Sequence, residues 1–186
     1  KEIKNYINGN LEAHSSDYLP VVDPSTGEQI GNVVNSNSVD FEKTIKSSES
    51  AFNSWSKVTP LKRSRIMSKY KNNIEKDLEN IAKLVSSEHG KTLEDAKGSV
   101  TRGLEVVEFS CGIPHLLKGE FSENVGTDID SWSIRQPLGI TAGITPFNFP
   151  AMVPMWMYPI SIACGNSFIL KPSEKDPSCS MRLAEL

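Results

Sequence analysis

The sequence is poor in the residues that build metal centres and disulfide frameworks. Three cysteines (Cys111, Cys164, Cys179) and three histidines (His14, His89, His115) are scattered over 186 residues. They form no CxxC spacing and no Cys/His cluster, so neither a zinc site nor a disulfide scaffold is supported, and no metal is expected. The thiols read as buried or inert groups in a reducing compartment. The histidines fall near apparent element ends, where solvated imidazoles are common. Also missing is any run of Lys and Arg interleaved with aromatics. With a formal net charge of −3, a nucleic-acid partner is not expected. The first ten residues lack the apolar core of a signal peptide and no initiator Met is present, so the start reads as trimmed.

The longest absence is of charge. From Gln136 to Leu170 there is no Asp, Glu, Lys, Arg or His. A membrane helix needs only ~20 apolar residues, so that possibility has to be weighed. Against it stand Pro146, Pro150, Pro154 and Pro159, with Asn148 and Asn166 among them. An interior proline removes a helix hydrogen bond and costs roughly 3 kcal/mol, so a straight spanning helix is not expected. The block divides instead into a strand over Gly139–Ile144, a loop Thr145–Pro150, a helix of about one dozen residues, and a strand over Ser167–Leu170. Short apolar runs flanking a helix are what a parallel sheet covered on both faces requires. The fold class is therefore α/β, with a βαβ unit in the core.

What precedes the block is ordinary for a globular domain, with 38% hydrophobic and 23% charged residues overall. Tyr6-Ile7, Val21-Val22 and Ile30 to Val34, separated by Asn8-Gly9, Pro24 and Gly27, read as small antiparallel strands. Four helices are expected next. The first puts Phe41, Ile45, Phe52 and Trp55 on one face, with Ser38 as cap. A second opens at Thr59-Pro60 and runs through Ile66, Tyr70 and Ile74. A third carries Leu78, Ile81 and Val85 and stops at Gly90. The fourth begins at Thr92, with Asp95 completing a variant capping box, and aligns Leu93, Ala96, Val100, Leu104, Val107 and Cys111. Residues 119–137 change character, with Gly119, Gly126 and the alternating Trp132 and Ile134 marking an exposed hairpin. Residues 1–118 and 138–186 then form one domain interrupted by that hairpin. A parallel sheet of two strands is not expected to be a whole sheet, and Leu186 falls at the opening of another helix, so the chain reads as incomplete.

Three places can carry chemistry. The loop Thr145-Pro-Phe-Asn-Phe-Pro150 follows the carboxyl end of the first core strand, where open α/β sheets bind ligands. The amide of Asn148 can donate to a developing oxyanion, or it can simply cap the helix that follows. Lys171 and Glu174 leave the second strand at the same sheet edge. They can hold the hydroxyls of a nucleotide ribose, or be solvated loop charge. No GxGxxG is present to decide this. Arg102 lies opposite the Val100/Leu104/Val107 stripe but beside Val106, Phe109 and Ile113. An Arg there wants an anion, either Glu105 one turn away or a substrate carboxylate held bidentately.

These segments resemble the aldehyde dehydrogenase superfamily. The resemblance rests on Gly139-Ile-Thr-Ala-Gly-Ile-Thr-Pro-Phe-Asn-Phe-Pro150 followed by Cys164-Gly-Asn-Ser-Phe-Ile-Leu-Lys-Pro-Ser-Glu174. Tyr6-Ile-Asn-Gly9, Asp23-Pro-Ser-Thr-Gly27, Ala51-Phe52 with Trp55, and Glu88-His-Gly-Lys91 match in the same order, so the whole chain is covered. Phe147 in the asparagine loop, its continuation to Pro159, and Thr101-Arg-Gly-Leu-Glu-Val-Val-Glu-Phe109 are most similar to the CoA-acylating methylmalonate-semialdehyde dehydrogenase family. The resemblance implies a Rossmann-type NAD-binding domain, incomplete, with an inserted oligomerisation hairpin. It implies that Asn148 is the oxyanion-hole amide and that Ile144, Thr145, Pro146 and Phe147 line the nicotinamide side. Lys171 and Glu174 would hold the adenosine ribose, with Pro172 and Ser173 between them also at the cofactor, and Arg102 would hold the substrate carboxylate.

NAD is the implied cofactor, coenzyme A the co-substrate and a carboxylated aldehyde the substrate. The implied assembly is a homodimer or tetramer, in the cytoplasm or alternatively the mitochondrial matrix, with no membrane or nucleic-acid partner. In that family a cysteine thiolate attacks the aldehyde. None of Cys111, Cys164 and Cys179 sits in the family's nucleophile motif, which lies beyond Leu186, so these 186 residues alone are expected to be inactive. A non-acylating dehydrogenase and a noncatalytic nucleotide-binding or assembly module are the alternatives.

Overall fold

In the computed structural model, which describes residues 1–186, the chain opens with short strands that wrap one side of a helical layer. These are β1 (Glu2–Ile3), β2 (Asn5–Ile7), β3 (Asn10–Glu12), β4 (Tyr18–Val22) and β5 (Gln29–Val34). The expectation of antiparallel strands holds for β2 with β3 and for β4 with β5, but β1 lies parallel to β5. The β2–β3 hairpin occupies the intervening chain, so β1 reaches β5 without a direct turn and is free to take the parallel sense.

Helix α1 (Ser38–Trp55) is capped by Asn37, one residue before the expected Ser38. Asn37 accepts from the backbone N–H groups of Val39 and Asp40, and the Asp40 carboxylate accepts in return from Asn37 N. Asp40 also accepts from His14 N at 2.9 Å and Ser15 N at 3.2 Å. Burial alone would raise its pKa, yet these backbone bonds hold it below the ordinary value. A buried carboxylate thus ties the strand region to α1.

The two helices expected between Pro60 and Gly90 are one, α2 (Pro60–His89). Between Ile74 and Leu78 the sequence Glu75-Lys76-Asp77 contains no glycine, proline or cap, so nothing stops propagation. The ends fall where expected: Thr59 accepts from Lys62 N, and Gly90 closes the helix at φ 84. Helix α3 (Leu93–Cys111) starts at the predicted Thr92 cap, and a single turn, α4 (Ile113–Leu116), follows.

Then come the exposed hairpin β6 (Phe121–Gly126) and β7 (Ile129–Trp132), and the βαβ unit β8 (Ile140–Ile144), α5 (Met152–Ala163) and β9 (Ser167–Lys171). Helix α6 (Ser178–Glu185) ends the described chain. Strands β8 and β9 are parallel, as the unit requires.

The core lies where α2, α3, α5 and α6 meet. Ile74, Ile81 and Val85 from α2, Val100 and Val107 from α3, and Met155 from α5 are fully buried together. At roughly 1.5–3 kcal/mol per buried aliphatic side chain, this cluster dominates the stability of the helical layer. Gly103 sets the α3–α5 distance, since a Cβ there would lie 2.4 Å from the Met155 methyl and 3.2 Å from the Met152 Cα. The first helix is less amphipathic in fact than in pattern. Ile45, Phe52 and Trp55 are half-buried, while Phe41 is 61% exposed. No helix is long and apolar enough to cross a membrane.

Candidate active site

The ladder between β8 and β9 ends with Ile144 opposite Lys171. One further bond, from Thr145 N to the Lys171 carbonyl at 3.1 Å, ties the two following turns together. The asparagine loop and the Lys171–Glu174 turn therefore leave the sheet side by side, as parallel pairing demands. Asn148 is exposed and its carboxamide makes no hydrogen bond within the chain. It does not cap the next helix, whose N-cap is Ala151 without any side-chain bond. A polar group held at a strand end with its donors free is available to a ligand.

Around it the loop is lined with apolar surface that the chain leaves open. Ile144 is 79% exposed and Phe147 49%, and they continue an exposed face of β8 that includes Ile140 and Ala142, so this strand is not covered on both faces as its apolar run suggested. Lys175 stacks its ammonium 4.3 Å from the centroid of the Phe147 ring, and Lys91 lies 4.2 Å from that of Phe149. In the neighbouring turn, Lys171 donates to Glu174 at 3.0 Å with both side chains about half exposed. Its own backbone N–H first, and then Lys171, hold the Glu174 carboxyl below its ordinary range, so a cation and an anion face solvent together.

Of the residues expected at the cofactor, two are not open side chains. Thr145 is buried, with its hydroxyl unpartnered. Ser173 is buried too, and its Oγ accepts from Lys175 N at 3.1 Å. Both shape the turn from within, while Ile144, Pro146, Phe147, Lys171 and Glu174 present the accessible surface and Pro172 is half-buried.

Arg102 is exposed and makes no ion pair, so the bond to Glu105 open on sequence grounds is not formed. The two acids that line the same cleft as Arg102 are paired with other groups. Asp95 bonds Thr92 at 2.8 Å, and Glu94 pairs with Lys97 at 3.3 Å. Arg102 lines a cleft of about 410 Å³ together with Ser99, Lys91 and Phe149. The guanidinium and the asparagine loop therefore border one space, although 46 positions of sequence separate Arg102 from Asn148.

Sequence reasoning passed over a buried layer behind this loop. Glu88, at the end of α2, accepts from Ser178 N at 2.9 Å and so caps α6. Asp176 is 2% exposed, and Lys91 Nζ donates to the Asn148 carbonyl at 2.9 Å. The only signal was Glu88-His-Gly-Lys91, which carries no chemistry by spacing alone. The three thiols are poorly placed to act as nucleophiles. Burial pushes Cys164 up and Cys179 well up, and Cys111 donates to the Val107 carbonyl.

The sequence and the fold are similar to those of known proteins. The chain is 52% identical to a malonate-semialdehyde dehydrogenase of Pseudomonas aeruginosa over 97% of its length and 36% of that relative. It is 44% identical to the mitochondrial, acylating methylmalonate-semialdehyde dehydrogenase of Arabidopsis thaliana, over 99% of this chain and 30% of the relative. The crystal structure of methylmalonate-semialdehyde dehydrogenase from Oceanimonas doudoroffii superposes with a TM-score of 0.96 at 47% identity, covering 99% of this chain and 38% of that one. A Sinorhizobium meliloti protein assigned to the same activity and complexed with NAD superposes with a TM-score of 0.97 at 47% identity, covering 100% and 38%. The chain thus spans roughly a third of the length of these relatives. Residues 11–186 match the aldehyde dehydrogenase family, and with the asparagine loop and the Lys171–Glu174 turn at one sheet edge, the chain belongs to that family.

Proposed function

We propose that the protein carrying this chain is an NAD-dependent dehydrogenase of malonate or methylmalonate semialdehyde that transfers the acyl group to coenzyme A. The observation that carries the reading is the pairing of Ile144 with Lys171, which brings an unbonded amide and a cation–anion pair to one edge beside the Arg102 cleft. The accessible surfaces suit NAD in kind. Ile144 and Phe147 offer apolar faces to a flat ring, Lys171 a donor to a ribose hydroxyl and Glu174 an acceptor from one. When bound, NAD supplies the acceptor for hydride.

The chain's own residues contribute by position and charge. A thiolate outside Cys111, Cys164 and Cys179 adds to the aldehyde carbon, and the carbonyl oxygen takes up negative charge. The Asn148 carboxamide donates to that oxygen as the charge develops. Arg102 holds the far carboxylate in two parallel bonds and fixes the aldehyde at a set distance from the amide. Loss of hydride leaves a thioester, and the thiol of coenzyme A then takes the acyl group. In both cases the free carboxylate leaves as CO2, so methylmalonate semialdehyde gives propionyl-CoA and malonate semialdehyde gives acetyl-CoA.

The hairpin β6–β7 carries Phe121, Val125, Ile129 and Trp132, each more than half exposed. We assign it to contact with a second copy of the protein in a dimer or tetramer; unchanged sedimentation of a Trp132→Glu protein would remove that assignment.

Full-length protein is the test. NADH formation from either semialdehyde should require coenzyme A, and Asn148→Ala should lower kcat by about 100-fold to 1,000-fold. Equal rates with and without coenzyme A, with a free acid as product, would show a non-acylating enzyme. No turnover of either semialdehyde would remove the assignment.

A further inference from the structure

The asparagine loop has no regular hydrogen bonding of its own, yet an oxyanion donor is useful only if it stays in one place. Two of its carbonyls are held from outside. Pro150 O accepts from Cys179 Sγ at 3.0 Å and from Ser180 Oγ at 3.4 Å, both in the first turn of α6. Asn148 O accepts from Lys91 Nζ at 2.9 Å, and the same ammonium covers the ring of Phe149. Lys91 is itself anchored. It follows the left-handed Gly90, and its carbonyl accepts from Ser86 Oγ at 2.7 Å.

Lys91 is half-buried and makes no ion pair; Asp95 and Asp176 act on it only at longer range. An ammonium taken partly out of water to bond one carbonyl costs desolvation energy that a surface lysine would not incur. The residue whose carbonyl it bonds is the one whose side chain is free.

We propose that Lys91 is a positioning residue for the dehydrogenase reaction, pinning the Asn148 backbone so that the carboxamide faces the cleft. The inference rests on the reading of Asn148 as the oxyanion donor. Lys91 fixes the Asn148 carbonyl and with it the origin of the Cα–Cβ bond, which limits the volume that the otherwise unbonded carboxamide can reach. Misplacement of a reacting or stabilising group by about 1 Å can cost 100-fold in rate.

The test is a double-mutant cycle in the full-length protein, following NADH formation from malonate semialdehyde with coenzyme A. Lys91→Met should lower kcat by about 10-fold to 100-fold, with the KM for NAD changed by less than about threefold. Lys91→Arg, which keeps the charge and a donor, should recover part of the loss. On the Asn148→Ala background, Lys91→Met should change kcat by less than about twofold, because the group it positions is gone.

The same fold-loss in both backgrounds would mean that Lys91 only supports the fold, and an unchanged kcat in Lys91→Met would overturn the proposal outright. If Lys91→Met is not obtained folded by circular dichroism, the cycle is run with Lys91→Arg, where additive losses refute it equally. Parental kcat in Asn148→Ala alone would instead sink the oxyanion reading, whatever Lys91 does.

Discussion

Replacing Asp176 by Asn should stabilise the protein at pH 8 and do little in acid. Asp176 lies between β9 and α6, almost completely shielded from water, with Oδ1 unpartnered. Burial pushes its carboxyl up from 3.8 to about 7. Glu88 from α2 and Glu174 from its own turn act in the same direction, while the bond with Ser173 and the ammonium of Lys91 oppose them. Between those two values the folded protein keeps a proton that the unfolded chain has released. Stability is therefore full below the unfolded value and falls as pH rises toward the folded one, by about 1.4 kcal/mol per pH unit. The accumulated loss above pH 7 is at most about 4 kcal/mol.

Asn has nearly the same shape and no charge to bury, so it escapes this loss. Urea denaturation followed by tryptophan fluorescence, at pH 5 and pH 8, reads the difference. The advantage of Asp176→Asn over the parent should widen by about 3 kcal/mol between the two. Parallel stability curves over that interval would refute the argument, because they would show that the carboxyl is ionised at no cost in the folded state.

The remaining predictions concern other parts of the structure. Arg102→Ala should raise the KM for carboxylated semialdehydes with little change in kcat, and leave uncharged aldehydes unaffected; equal effects on both in steady-state assays would deny it a carboxylate-binding role. Arg63→Ala should destabilise by about 3 kcal/mol, since the buried guanidinium donates to the carbonyls of Ala163 (2.8 Å) and Val58, which would be left without partners. Lys at this position should recover only part in the same melts, as a single ammonium replaces a fork. Gly103→Val should lower the melting temperature by several degrees, by about 1–3 kcal/mol of overpacking against Met155; an unchanged melt would show that α3 and α5 can separate freely.

Much of this architecture could be read from residue order. Thr59-Pro60, Gly90 and Thr92 mark three helix ends because each supplies a local bond or backbone geometry that needs no distant partner. The βαβ unit was legible because charge disappears over a whole block and prolines divide it. Asn37 was missed for Ser38 because both are good caps, and only the reciprocal bond with Asp40 distinguishes them. The break expected inside α2 came from reading two hydrophobic groups, Ile66 to Ile74 and Leu78 to Val85, as two elements, although no residue between them interrupts the backbone.

At the site the division is similar. Asn148, Lys171 and Glu174 follow strand ends and could be located by their neighbours. Lys91 and Asp176 could not. Their importance depends on three segments meeting behind the loop, and Ser173-Glu174-Lys175-Asp176 has the composition of a solvated turn. A carboxyl withdrawn from water leaves no trace in sequence when its shield comes from α2.

The bond joining Thr145 to Lys171 also limits how this site can change over time. Gaining or losing one residue within either core strand would reverse which side chains face the helices and slide the attached turn by about 3.3 Å. The amide and the cation would then no longer flank the same opening. Residue exchange in the strands leaves that spacing intact, and length changes are tolerable only in the segments beyond it. Descendants of such a scaffold can rebuild the helix that bears Arg102, while the distance between the two turns at the strand ends stays as it is.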